Sequence, residues 1–319
     1  ELLTEVFLPA FGNTTLSALE DQALLTLNGM KLAFTTDAFV VRPIFFPGGD
    51  IGKLAVNGTV NDLAVGGARP LFLSAAFILE EGLPIEELKR VVASMQESCK
   101  QAGVLLVTGD TKVVDRGKGD KIYITTSGIG IVPPSRALSV HNARPGDHII
   151  VSGTIGDHGV AIMSVREGIE FETALESDTA PLVELTQLML EICPLSIRCM
   201  RDPTRGGVAS TLNEIATASR IGIKINEAAL PVRPEVKGAC EILGLDPLYV
   251  ANEGKLIAVV AASESEILLK AMQQHPLGRD ASIIGEVVAQ HPKMVTVKSS
   301  IGGERIVGLL AGEQLPRIC

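Results

Sequence analysis

The sequence predicts a layered α/β protein built as two halves of similar size. Two observations predict it. Short apolar runs alternate with segments of helical period in both halves, the pattern of sheets with helices on a face. The 319 residues are 46% hydrophobic with 32 glycines, yet only 3% aromatic and without Trp, which suits a glycine-punctuated β/α chain long enough for two cores.

In chain order, 30–41 reads as a strand interrupted at Asp37. Asp50 is placed to cap a helix over 52–65, since a short side-chain oxygen can accept from the first free N–H groups. A second strand is expected over 71–79. Pro84 opens a helix to about 102, with Ile85, Leu88, Val91, Val92, Met95 and Cys99 on one stripe, so Cys99 reads as core. The run 104–107 is a short buried strand leading into Gly109, Asp110, Thr111 and Lys112, and 121–132 alternates as a strand. Pro133, Pro134, Pro145 and Gly146 bracket a polar linker. The second half is expected to contain strands over 147–151, 256–261, 283–288 and 294–297, with helices over 157–165, 181–193, 206–219 and 263–274. Domain bounds of 1–135 and 146–307 follow, with 308–319 as a mobile tail.

Charge and motifs exclude several functions. A net charge of −9 and a pI near 5.2 oppose nucleic-acid binding. No apolar stretch is long enough to span a membrane, and the first residues do not form a signal peptide. Five cysteines without a C-x-x-C pair fit reduced thiols in a cytoplasmic protein. The stretch Gly48 to Lys53 is not a phosphate loop, because its glycine spacing is short and Leu54 stands where Ser or Thr would hold magnesium. The histidines lack paired metal spacing; His158 alone sits in a motif-like Gly-Asp-His-Gly.

Acidic residues at strand ends and helix starts are the signal that survives. Asp37 interrupts a strand, Asn61 and Asp62 lie inside an apolar helix, and Asp110 follows a strand. Buried carboxylates are costly unless paired or coordinated. Three together, with Lys112 beside the third, suit magnesium and nucleotide phosphates. Capping or turn duty is the alternative for each. Asp202 and Thr204 precede a helix start at Gly206 and Gly207 that offers free N–H groups to an anion. Asn252, Glu253 and Lys255 open a strand, which is also compatible with a turn. The last residue is Cys319. A terminal thiol is either incidental or kept for its reactivity, because chain ends bury little.

Together these motifs resemble the superfamily of aminoimidazole ribonucleotide synthetase, selenophosphate synthetase and thiamine-monophosphate kinase. The residues that carry the resemblance are Thr36-Asp37, Asn61-Asp62, Gly109-Asp110-Thr111-Lys112, Arg201 to Gly207, and Ala251 to Lys255. Phe45 to Gly49, Ile78 to Pro84 and the ending Pro316-Arg317-Ile318-Cys319 narrow the match to the HypE family of hydrogenase-maturation proteins. It spans essentially the whole chain. The family's amino-terminal glycine-rich segment, which helps cover the nucleotide, has no counterpart here, and the chain opens on Glu1 rather than Met.

The resemblance implies a two-domain PurM-like fold, each domain a mixed sheet covered by helices, and a homodimer formed through the amino-terminal sheet. It implies ATP and Mg2+ as cofactors, HypF as carbamoyl donor to Cys319, and the HypC–HypD complex as cyanide acceptor. The implied reaction is ATP-dependent dehydration of the thiocarboxamide to a thiocyanate. Asp37, Asp62 and Asp110 would hold metal and phosphates. Asn61, Gly109, Thr111, Asp202, Thr204 and Asn252 would line the nucleotide site. Lys112 would polarise the transferred group and Glu253 would take the nitrogen proton. A small-molecule kinase or synthetase and a non-catalytic carbamoyl carrier are the other readings.

Overall fold

The computed structural model describes residues 2–134, 136, 138–168, 175–309 and 317–319. A short helix α1 (Leu8–Phe11) precedes the first sheet, whose strands are β1 (Ala23–Leu27), β2 (Met30–Phe39), β5 (Arg69–Glu80), β6 (Leu105–Val114) and β7 (Ile122–Val132). They lie in the order β1-β2-β7-β5-β6, antiparallel except for the β5–β6 pair. A two-strand ribbon, β3 (Phe45–Phe46) and β4 (Gly49–Asp50), leads into helix α2 (Ile51–Val65), and α3 (Ile85–Ala102) makes the crossover from β5 to β6. The Asp50 carboxylate accepts from Gly52 N at 2.7 Å and Lys53 N at 3.0 Å, the expected cap. Cys99 is in the core as predicted.

Both α2 and α3 cover one face of this sheet. The opposite face carries a row of register neighbours, Phe34, Ile129, Phe72 and Leu105, running across four strands with all four side chains exposed. Helix α2 is buried nearly all round because it is enclosed: the sheet lies on one side and the second domain on the other.

The second domain holds β8 (His148–Val151), α4 (Asp157–Glu167), α5 (Val183–Ile192), β9 (Ile197–Arg201), α6 (Gly207–Ser219), β10 (Gly222–Asn226), α7 (Pro234–Leu243), β11 (Ile257–Val260), α8 (Ala262–Gln273), β12 (Ser282–Val288), β13 (Val295–Lys298) and β14 (Glu304–Val307). The sheet order is β14-β13-β10-β12-β8-β11-β9, with β10–β13 parallel and the other pairs antiparallel. Alternation along the strands divides the core. Ile149, Val151, Ile257 and Val259 meet α6, whereas Ile150, Ala258 and Val260 meet α5 and α8. This sheet is sandwiched; the first is covered on one face only.

Two expectations change. The short strand over 104–107 extends to Val114, so Gly109 to Lys112 lie within a strand rather than after one. Pairing with β5 continues through Glu80, and a ladder of that length outweighs the low strand propensity of Gly and Asp. The end of the tail is also not solvated: Ile318 is 2% exposed and packs with the amino-terminal core. The expected arm over 308–315 falls mostly outside the described residues.

Candidate active site

Four of the expected acidic residues converge where the two domains meet. Asp37 projects from β2 on the helix-covered face, and Asp62 from α2 reaches the same point. Asp202 follows β9, and Glu253 lies in the turn before β11. Thr35 donates its hydroxyl to Asp62 Oδ2 at 2.8 Å and Thr59 donates to Asp37 Oδ2 at 3.2 Å. Asp21, which the sequence reading passed over, completes the group. Carboxylate oxygens of Asp21, Asp62 and Asp202 all lie within 4.8 Å of one another.

The cluster is electrostatically unbalanced. Burial pushes the Asp62 carboxyl well above its ordinary range, and the neighbouring Asp37, Asp202 and Asp21 push it further. Burial likewise raises Asp37 and Asp21, the latter despite Arg201 at 2.8 Å. Asp202 is pushed up to about 6 by burial, with Arg201 opposing. Glu253 is raised well above its usual value by burial and then by Asp202, Asp178 and Asp37, and its buried Oε1 meets no hydrogen-bond donor. Arg201 also pairs with Glu214 at 2.8 Å, so its charge is divided. Such a set fits a hard dication, whose charge would repay the desolvation of several carboxylates at once.

Other predicted residues are placed differently. Register sets Asp37 opposite Thr126 and Ala75 on the helix-covered face, whereas Asp110 pairs with Ala76 and Lys112 with Ile78 on the open face. Asp110 and Lys112 are exposed and paired with each other at 2.7 Å, which holds the Asp110 carboxyl below its ordinary value. The expected metal set of Asp37, Asp62 and Asp110 is therefore not assembled within one chain. Gly109 and Thr111 belong to the same exposed strand.

Asn61 and Asn252 are fully buried and their amides are committed to protein. Asn61 accepts from Leu182 N at 2.8 Å and donates to Ala180 O and Glu253 O, bolting α2 to the second domain. Asn252 accepts from Gly156 N at 2.8 Å and donates to Pro203 O and Val250 O. Both NH2 groups are spent on main-chain carbonyls and both side chains are fully buried, so neither has an amide N–H to offer a nucleotide. Both position the cluster instead, Asn61 through Glu253 and Asn252 through the turn after Asp202. Thr204 stands partly exposed in that turn; its carbonyl accepts from Gly207 N at 2.9 Å at the start of α6. A Cβ on Gly207 would run into the Val250 and Leu248 carbonyls, so only glycine allows this approach.

Two family models match the chain. The N-terminal domain of AIR synthase related proteins covers residues 19–132 and the C-terminal domain covers 144–298. The carbamoyl dehydratase HypE of Cupriavidus necator is 54% identical over 320 residues, spanning 100% of this chain and 91% of that protein. This chain belongs to the HypE family. Its two-domain fold is that of solved HypE structures. A HypE–HypF complex superposes with a TM-score of 0.92 at 52% identity, covering 97% of this chain and 99% of that one. HypE in complex with ATP gives 0.87 at 48% identity, covering 100% and 96%. Among the described residues no helix is long and apolar enough to cross a membrane.

Proposed function

We propose that this HypE-family chain is an ATP-dependent carbamoyl dehydratase acting on a carboxamide carried by its own Cys319, and that it supplies cyanide for hydrogenase maturation in the cytoplasm. The observation that carries the reading is the meeting of tail and cluster at one seam. The carbonyl of Ile318 accepts from His158, His158 contacts Ser177, and the next residue, Asp178, accepts from the backbone N–H of Glu253.

Turning S–C(=O)–NH2 into S–C≡N removes one oxygen and two nitrogen-bound protons. Bound ATP would supply the phosphoryl group that makes the amide oxygen a leaving group. Asp21, Asp62 and Asp202 would hold Mg2+ beside it, with Asp37 adjacent, and the ion would draw these carboxyls into their charged form. Glu253 would accept one nitrogen proton, and the other would leave with the departing phosphate, which carries away the amide oxygen. Glu253 must be charged to do so, which Mg2+ held beside it would favour against the burial that raises its proton affinity, and its buried Oε1 meets no donor among the described residues. Arg201 would restrain Asp21 and so the first side of the ion site.

HypF is the proposed carbamoyl donor, as the solved complex of relatives supports, and HypC–HypD the acceptor of cyanide. We also assign the open apolar row of the first sheet to a homodimer. Asp110 and Lys112 share that face, so the second copy is what would bring them to a reaction centre.

Mass spectrometry of the carbamoylated terminal peptide tests the reading. ATP and Mg2+ should convert it to a species lighter by one water. Asp62→Asn should still accept the carbamoyl group but lose Mg2+-dependent ATP affinity by roughly tenfold or more, because an amide keeps the shape and removes the charge. Unaltered affinity across a Mg2+ titration would remove Asp62 from the ion site.

A further inference from the structure

The last three residues run antiparallel to the segment that follows β2, joined to it by two main-chain rungs. Arg42 N donates to Arg317 O and Val40 N to Cys319 O, both at 3.1 Å. Between the rungs the Ile318 side chain is buried in an apolar socket of the amino-terminal core, the cluster that also holds Val41, Ile44, Phe46, Ile162 and Ala251. The Ile318 carbonyl accepts a 2.7 Å hydrogen bond from His158 Nε2. His158 lies in the first turn of α4, fully buried, its ring edge-on to Phe46 at 5.6 Å between centroids.

The partners decide the tautomer. A carbonyl only accepts, so Nε2 carries the proton, and Nδ1 accepts from the Ser177 hydroxyl at 2.7 Å. Burial lowers the proton affinity of this ring, so it remains neutral near pH 7. Ser177 is itself held, its N–H donating to Pro47 O at 2.9 Å and its hydroxyl oxygen accepting from Thr179 N. The adjacent Asp178 binds Glu253 N at 3.0 Å and Lys255 Nζ at 3.2 Å. One strap therefore orients both the imidazole that meets the tail and the main chain of Glu253.

We propose that His158 is the positioning residue for the terminal thiol: with the backbone edge at Val40 and Arg42 and the socket for Ile318, it fixes the register in which Cys319 is presented. This rests on the reading of Cys319 as the carrier of the reacting group and adds the device that aims it. The station reads main chain at two residues, one apolar side chain and one carbonyl. Two polar side chains of α4 reach the tail, His158 at the Ile318 carbonyl and Arg166 at the Arg317 carbonyl; the buried imidazole holds the carbonyl next to the thiol and serves docking without touching the reacting atoms.

Iodoacetamide labelling of Cys319 in the full chain reads the docked fraction directly, because the other four cysteines are buried. Loss of one buried hydrogen bond should raise the labelling rate of His158→Ala about three- to tenfold at unchanged pH. Ile318→Asp should raise it at least as much. The double variant should approach the product of the two increases and level off at the rate of a fully undocked thiol, since both act on the same docking equilibrium. His158→Gln retains an N–H donor and should stay near the unsubstituted rate. If His158→Ala melts too low to study, Ser177→Ala, which releases the ring, should still raise the rate. Unchanged labelling in folded His158→Ala would overturn the proposal. Failure of ATP to remove water from the carbamoylated, unsubstituted chain would instead sink the dehydratase reading and leave tail docking standing.

Discussion

Glu253 and Asp202 show how strongly one residue can be set by its surroundings. Neither has an unusual sequence context, yet burial among carboxylates raises both. A carboxyl whose folded pKa lies above its unfolded value favours the folded state while protonated. Its stabilising contribution is complete below the unfolded value near 4 and is lost as pH rises through the folded value, here about 6 for Asp202. The Asp202→Asn variant should thus be more stable than the parent at pH 7, by roughly 1–3 kcal/mol, while converging with it near pH 4. Thermal melting across that range in the absence of divalent ions checks the sign. A variant that is less stable at pH 7 would mean the Arg201 attraction outweighs burial. Asp37 and Asp62 were legible in the sequence because carboxylates in apolar settings demand a reason, whereas Asp202 and Glu253 were marked by polar clusters at a helix start and a strand start that read equally well as a cap and a turn. Asp21 was not, because it follows Glu20 in a polar stretch where a surface charge needs no explanation.

At the scale of elements, the same reasoning misjudged amides. An Asn inside an apolar helix looks like a ligand for something bound, but Asn61 is spent on backbone groups that lack partners in their own elements. The demand for satisfaction lay in the loop around Ala180 and Leu182, 119 and 121 residues away. No local pattern reveals such a need. Removing the side chain with Asn61→Ala strands one N–H and two carbonyls, and should cost about 2–4 kcal/mol of stability in urea unfolding. A loss within ~0.5 kcal/mol would show that water replaces the amide and that the bolt is not structural. Sheet parity was equally hidden. The helices at 52–65 and 84–102 and the alternation over 121–132 were readable, but which face Asp110 and Lys112 occupy depends on the extent of β6 and its register with β5.

The whole molecule separates its chemistry between two surfaces, a carboxylate seam inside and a Lys112–Asp110 pair on the open sheet. If a second copy joins them, mixing Lys112→Ala with Asp62→Asn should restore activity although neither variant works alone. Each mixed dimer would hold one site with both residues intact, so random assortment should recover about a quarter of parental turnover. No recovery would place Lys112 in the site of its own chain, or outside the chemistry. The apolar row Phe34, Ile129, Phe72 and Leu105 has a thermodynamic corollary. Where folding and self-association share a surface, mass action links them: every species that pairs is withdrawn from the unfolding equilibrium. The amino-terminal half should then melt at a temperature that climbs with protein concentration, while the carboxyl-terminal half, whose sheet is already clad on both faces, should hold its own transition nearly fixed. Calorimetric scans over a hundredfold dilution series would resolve the two behaviours within a single chain.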